Sequence, residues 1–255
     1  MAFDMLMNGV GNAFAVESWG THFLLQKDDY LLGVDCPDSY RRALRENGFE
    51  NADGLPLDVD SLDGLVITHL HGDHVNGLEM LLAYRRYIVG EPLDLYMHPQ
   101  AADHLWDRRL EVSLGQSWNG ERHESLYPED YYELHPIPWE TPVQIGPFEV
   151  ETRETIHHIT TMAMRVSDGD ASLGYSCDTA FDPDLIDWLA EADAILHETS
   201  LGPGHTPLQA LEGLDPKIKQ RMRLAHLPDE LLDLADDTDL DFAEEGAIYR
   251  VAGSP

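Results

Sequence analysis

The stretch Thr68-His-Leu-His-Gly-Asp-His-Val-Asn-Gly77 places His69, His71, Asp73 and His74 within six residues, straight after the apolar run Leu65-Val66-Ile67. Four side chains that can each give a lone pair to a metal, crowded at the end of a buried strand, make a poor core. They make a good ion site at the carboxyl edge of a sheet. Imidazole and carboxylate together suit zinc and its first-row neighbours rather than calcium or magnesium.

Outward from that loop, strand signals at 5–7, 22–26 and 30–34 precede it, with a helix expected over 38–46. The loop itself is delivered by a buried strand at 65–68. A helix over 75–87 follows, with Leu78, Leu81, Leu82 and Arg85 at helical spacing. A strand at 93–97 and a proline-started helix at 99–106 come next. From 107 to 138 the pattern weakens into aromatic and charged residues, which reads as an irregular insertion. Strands are expected again at 143–145, 148–155, 161–166, 173–176 and 194–197, with helices at 184–190, 207–214 and 217–222. The acidic segment 229–245 offers Leu231, Leu232 and Leu234 as an apolar face. Strands in both halves with helices between them predict an α/β protein, two sheets faced by helices in a single domain over 1–255.

A chain of 255 residues, 43% of them hydrophobic, can bury a sizeable core. No apolar run approaches the ~18 residues that span a bilayer. The start, Met1-Ala-Phe-Asp-Met, carries no basic stretch ahead of an apolar one, so no signal peptide is expected. Cys36 and Cys177 are too few for a disulfide framework, and a cytoplasmic location is the expectation.

The net charge is −32, from 48 acids against 16 bases, and lysine occurs only at Lys27, Lys217 and Lys219. Such a surface repels nucleic-acid polymers, whose binding depends on basic side chains releasing counterions. An acidic solvated surface is the plain reading. Lysine depletion beside the acid excess favours adaptation to a high-salt interior, where self-repulsion is screened. The protein should then be more stable and more active in molar salt. Equal melting and equal activity with and without it would refute the adaptation.

Further metal-ligand types stand where strand signals give way to loops. His157 and His158 follow 148–155, Asp178 follows Leu173-Gly-Tyr-Ser-Cys177, and His226 follows Arg223-Leu-Ala225. A lone histidine at a strand end is ordinarily no ligand, but the joint pattern points to a metal centre. The order His-x-His-x-Asp-His, then His, Asp and His, resembles the metallo-β-lactamase superfamily, whose fold is a four-layer αββα sandwich. The resemblance implies that His69, His71 and His157 bind one metal and that Asp73, His74 and His226 bind a second. Asp178 would bridge them. Asp73 belongs to the catalytic set as well. Two Zn2+ ions are implied, with Mn2+ as an alternative. His157 and His158 compete for one place, and the spacing to Met164 favours His157, leaving His158 turned away or in support. Flavodiiron proteins carry an acid where this chain has His71, and the commonest zinc β-lactamases carry cysteine where it has Asp178. Cys177, one residue early, reads as a packing residue. Two metals of this kind hold a water and lower its pKa towards neutrality.

The C-terminal third narrows the branch. His197-Glu-Thr-Ser200 and Gly204-His-Thr-Pro207 precede Arg223-Leu-Ala-His226, which resembles the ribonuclease Z-like phosphodiesterases. By that resemblance His205 gives a proton to the leaving oxygen and Glu198 orients it, while His197 either supports the site or does not touch it. Thr206 and Pro207 also suit a helix start. Ribonuclease Z grips RNA with a basic Gly/Pro-rich arm that has no counterpart here. The 107–138 stretch has Trp118, Tyr127, Tyr131 and Tyr132 but few bases. Those aromatics could stack on a nucleobase, pack internally or meet a second subunit.

Leu105-Trp-Asp107, Phe181-Asp-Pro-Asp-Leu185, and 211–214 leading into Lys217-Ile-Lys-Gln-Arg-Met222 bring the chain closer still to the anti-Pycsar type of cyclic-nucleotide phosphodiesterase. That resemblance implies hydrolysis of cyclic mononucleotides by a homodimer whose partner helps complete the site. Glu198, where aspartate would be expected, and the heavy acidity are the departures. The expectation is a dinuclear-metal phosphodiesterase opening 3′,5′-cyclic mononucleotides, with no nucleic-acid polymer and no membrane as partner. Three readings compete: a lactone or thioester hydrolase of the same fold, a ribonuclease Z-like RNA phosphodiesterase, and a protein that sequesters nucleotides without cleaving them.

Overall fold

The computed structural model describes residues 2–253. Its first sheet has seven strands in the spatial order Ile248–Ala252, Ala2–Gly9, His22–Lys27, Tyr30–Val34, Gly64–Val66, Leu93–Met97 and Tyr132–Pro136. The second has seven in the order Asp241–Phe242, Met222–Ala225, Ala194–Glu198, Ser172–Tyr175, Met162–Ser167, Phe148–Glu154 and Val143–Ile145. Alternating side chains sort the core into two clusters. Phe3, Met5, Phe23, Leu25, Leu32, Val34 and Val66 face inward to meet Phe148, Val150, Met164, Val166, Leu173 and Tyr175 of the second sheet. Phe3 meets Phe148 edge-on at 5.2 Å and Phe23 meets Tyr175 at 5.0 Å, which are the inter-sheet contacts of a sandwich. The alternate residues Leu6, Leu24, Leu31, Leu65 and Leu95 face outward onto Tyr40 and Leu44, Leu78 and Leu81, and Leu105 of three helices. Leu189, on the helix Pro183–Leu189, packs against Gly174 of the second sheet. The result is the αββα sandwich.

Several elements differ from the sequence reading. The 217–222 stretch, expected as a helix, divides into one turn, Pro216–Lys219, and the strand Met222–Ala225. The Asp215 carboxylate accepts from Lys217 N at 2.8 Å and starts the turn. Parallel pairing with Ala194–Glu198, which buries Met222 and Leu224, then takes over. The helix expected over 75–87 is a turn at Gly72–Val75, a helix at Leu78–Tyr84 and a wider π turn at Arg85–Val89. The stretch 107–138 holds the helical turn Glu111–Leu114, the hairpin Gln116–Trp118 with His123–Ser125, and the edge strand Tyr132–Pro136. These pieces are too short for a periodic signal. Over 229–245 the chain forms the turn Asp229–Leu232, which buries Leu231, and the short strand Asp241–Phe242, while Leu234 stays exposed. The strand Ile248–Ala252, absent from the sequence reading, closes the first sheet against Ala2–Gly9. No helix of the described residues is long and apolar enough to cross a membrane.

Strand direction decides where the chemistry falls. Gly64–Val66 runs parallel to both its neighbours in the first sheet. In the second, Ser172–Tyr175, Ala194–Glu198 and Met222–Ala225 are mutually parallel. Phe148–Glu154 is antiparallel to Met162–Ser167, which is antiparallel to Ser172–Tyr175, so it shares their sense. The residues just past these carboxyl ends therefore gather along one edge of the sandwich, where α/β folds hold their ligands.

Candidate metal centre

Seven side chains converge at that edge in two groups sharing one carboxylate. The first is His69, His71, His157 and Asp178; the second is Asp73, His74, Asp178 and His226. In the first, His71 Nδ1 lies 3.0 Å from His69 Nε2 and 3.2 Å from His157 Nε2. In the second, Asp73 Oδ2 lies 3.1 Å from His226 Nε2 and 3.4 Å from His74 Nε2. Asp178 divides its oxygens between them. Oδ2 is 3.7 Å from His69 and 3.8 Å from His157, while Oδ1 is 3.3 Å from His74 and 3.5 Å from His226.

Contacts on the far side of the rings aim these nitrogens inward. Asp35, buried at the end of Tyr30–Val34, accepts from Thr68 N at 2.8 Å, from Thr68 Oγ1 at 2.8 Å and from His74 Nδ1 at 2.8 Å. Thr68 Oγ1, donating there, is left to accept from His69 Nδ1 at 3.0 Å. His157 Nδ1 donates to Gly204 O at 3.0 Å. Each of these bonds fixes the ring tautomer and leaves Nε2 with its lone pair towards the centre. Asp35, Cys177 and His226 take left-handed φ values of 61°, 50° and 59°. Such backbone costs a non-glycine residue about 1–3 kcal/mol and concentrates at functional sites.

The electrostatics fit a cation. Burial pushes His69 well below its ordinary value, with neighbouring His74 adding to it, and pushes His71 down to about 4 with the help of His157 and His158. His157 is also lowered by burial. The first group is thus neutral imidazole, the form that binds metal. Burial opposes charge on His74 too, yet Asp178 and Asp35 overcome it and raise that ring well above its ordinary value. His226 rises likewise against its burial, through Asp178 and Asp73. The second group therefore demands positive charge, which a proton or a metal ion can meet. His74 Nε2 and Asp178 Oδ1 are both buried and without a hydrogen-bond partner, although only 3.3 Å apart. Atoms so close yet misaligned for N–H···O suit lone pairs directed at a common ion. The donor set fits two divalent metals of the zinc type.

Beside the second group stands a His–Glu pair. His205 Nδ1 donates to Glu198 Oε1 at 3.0 Å, and the same oxygen accepts from Thr179 N at 2.9 Å and Thr206 N at 3.3 Å. The His205 ring stacks on His226 at 5.1 Å, and its Nε2 has no partner among the described residues. A cavity of about 410 Å³ opens over His71, Asp73, Asp178 and His226, walled by His158 and His205 and rimmed by Phe14 and Leu201.

His69, His71, Asp73, His74, His157, Asp178, His226, Glu198 and His205 are thus all brought together. His158 lies outside both ligand groups, its ring tilted against His71 at 4.4 Å at the cavity wall. His197 is not part of the centre. Its Nδ1 donates to Glu198 O at 2.6 Å and burial lowers it to about 4. Cys177 is buried behind His69, its Sγ 3.6 Å from Nδ1. The sequence reading missed Asp35, although it too is an acid at a strand end.

The sandwich and its two-group centre define a metallo-β-lactamase-fold protein. The Bacillus subtilis metallo-β-lactamase fold protein YhfI superposes with a TM-score of 0.74 at 20% identity, covering 98% of this chain and 100% of that one. The short form of human tRNase Z superposes with a TM-score of 0.71 at 19% identity, covering 96% and 98%. The pattern of the family described as anti-Pycsar protein Apyc1 matches residues 3–249, and the chain belongs to that family. An Apyc1 protein of Paenibacillus sp. (strain J14) is 30% identical over 98% of this chain and 100% of its own length.

Proposed function

We propose that the protein is a two-metal phosphodiesterase that opens 3′,5′-cyclic mononucleotides to linear monophosphates. The observation that carries this reading is the Glu198–His205 pair set against the double ligand group. His69, His71 and His157 would hold one metal, Asp73, His74 and His226 the other, with one Asp178 oxygen towards each. When bound, such metals acidify water towards neutral pH and offset charge gathering on phosphoryl oxygens. The reaction adds water across the phosphorus–oxygen bond, and the ribose oxygen that leaves needs a proton. His205 supplies it from the ring nitrogen free of Glu198. Glu198 keeps the Nδ1 proton in place and fixes the orientation of the ring.

The cavity suits a mononucleotide rather than a polymer, and the −32 charge works against RNA. A homodimer belongs to this reading. Val112, 93% exposed, and Ile88, 68% exposed, are apolar surface that a second copy would cover. The apolar rim of Phe14 and Leu201 would favour the alternative, a lactone or thioester hydrolase, if the His–Glu pair proved idle. Protein loaded with zinc or manganese should convert at least one of the cyclic forms of AMP, GMP, CMP and UMP to the linear monophosphate. No turnover of any of the four, with metal content confirmed, would overturn the reading.

A further inference from the structure

Arg109 reaches the ligand loop from a different part of the chain. Its Nη1 donates to Leu70 O at 3.0 Å and its Nη2 to Asn76 Oδ1. Leu70 lies between His69 and His71, candidates for the first metal. Asn76 closes the turn Gly72–Val75, which carries Asp73 and His74 of the second, through its N–H to Gly72 O at 2.9 Å. The Asn76 amide also packs on Gly72, where an added Cβ would come within 2.7 Å of Nδ2. One guanidinium therefore ties together the loop backbone that carries two ligands of each group, His69 and His71 of the first and Asp73 and His74 of the second.

The helix that bears Arg109 is built to aim it. Pro99–Leu105 passes through a π turn, Trp106–Leu110, before Glu111–Leu114. One extra residue in a helical turn rotates the residues after it by about 100°, and such turns recur at functional sites. The side chain of Arg108, its neighbour, is exposed and makes no hydrogen bond among the described residues. Arg109 is half-buried and makes two.

We propose that Arg109 is a positioning residue, a clasp that sets the spacing of the two ligand groups and is aimed at them by the π turn. A planar fork with two donors is needed, so lysine cannot replace it. The inference rests on the two-metal reading, and the experiment separates them. Zinc affinity is measured by competition with a chromophoric chelator, and the visible spectrum is recorded after cobalt loading, on wild type, Arg109→Ala, Arg109→Lys and Asn76→Ala. Removing contacts that orient metal ligands typically lowers affinity about 10–100-fold. Arg109→Ala should show that loss with a shifted cobalt spectrum, and Arg109→Lys should do no better. Asn76→Ala, at an exposed position that does not endanger folding, should lose less because one bond survives. Wild-type zinc affinity and cobalt spectra in both arginine variants, or full rescue by lysine, would overturn the clasp alone. A wild-type protein that holds no metal would overturn the centre and the clasp with it.

Discussion

Replacing His205 with alanine should lower kcat on a cyclic nucleotide by about 10²–10⁴-fold, the usual worth of a positioned proton donor, while leaving two metals bound. His205 is in neither of the two ligand groups that share Asp178, although it clusters with Glu198 and His226, so its loss should take away the proton source and spare both groups. Glu198→Gln should be milder. Glu198 Oε1 is held by Thr179 N and Thr206 N as well as by His205, so a glutamine carbonyl can stay in place and keep accepting from Nδ1. The negative charge beside the ring is lost, but the tautomer is kept. The expected ranking is wild type, then Glu198→Gln, then His205→Ala, read as steady-state rates with metal content measured on the same samples. If His205→Ala keeps the wild-type rate, the ring is not the proton donor. If it still cleaves a lactone or thioester at full rate, the acyl reading gains ground at the expense of the phosphodiester one.

The centre is legible in sequence because its parts are local. His69 to His74 occupy one loop, His157 and Asp178 each follow an expected strand, and His226 comes directly after the Arg223-Leu-Ala225 stretch. Glu198 and His205 are legible through motif resemblance, which places them in one network without any distance. The illegible parts depend on contacts distant in sequence between residues of ordinary type. Asp35 is one acid among 48 acidic residues, and only its bonds to Thr68 and His74 mark it out. Arg109 gives no sign, because a π turn leaves no composition signal and its partners are a backbone carbonyl and an asparagine. The helix expected over 217–222 fails for a related reason. Lys217-Ile-Lys-Gln-Arg-Met has helical composition, but the sheet edge beside Ala194–Glu198 buries Met222 and Leu224 in a strand, and tertiary burial overrides local propensity. The same competition hides Tyr132–Pro136, whose Glu133 and His135 make an edge strand read as polar surface.

Asp178→Ala should have the largest effect in the molecule. Its two oxygens face different ligand groups, Oδ1 towards His74 and His226 and Oδ2 towards His69 and His157. Alanine removes the only side chain common to both. It also leaves His74 and His226 with less negative charge to hold a cation, since Asp178 is the leading attraction that raises each of them against burial. Bound metal should fall from two per chain to one or none. A metal pair contributes several kcal/mol of charge stabilisation, so activity should drop about 10³-fold or more. Atomic absorption on dialysed protein and the initial rate give both readouts, and His157→Ala and His158→Ala divide the claim further. His157 Nε2 lies 3.2 Å from His71 Nδ1 inside the first group, so its removal should cost a metal. His158 only packs at a tilt against that group, so its loss should leave two metals in place. Two tightly held metals in Asp178→Ala would mean that the carboxylate bridges nothing. Loss of metal in His158→Ala with retention in His157→Ala would exchange the roles of the paired histidines and leave the rest of the centre standing.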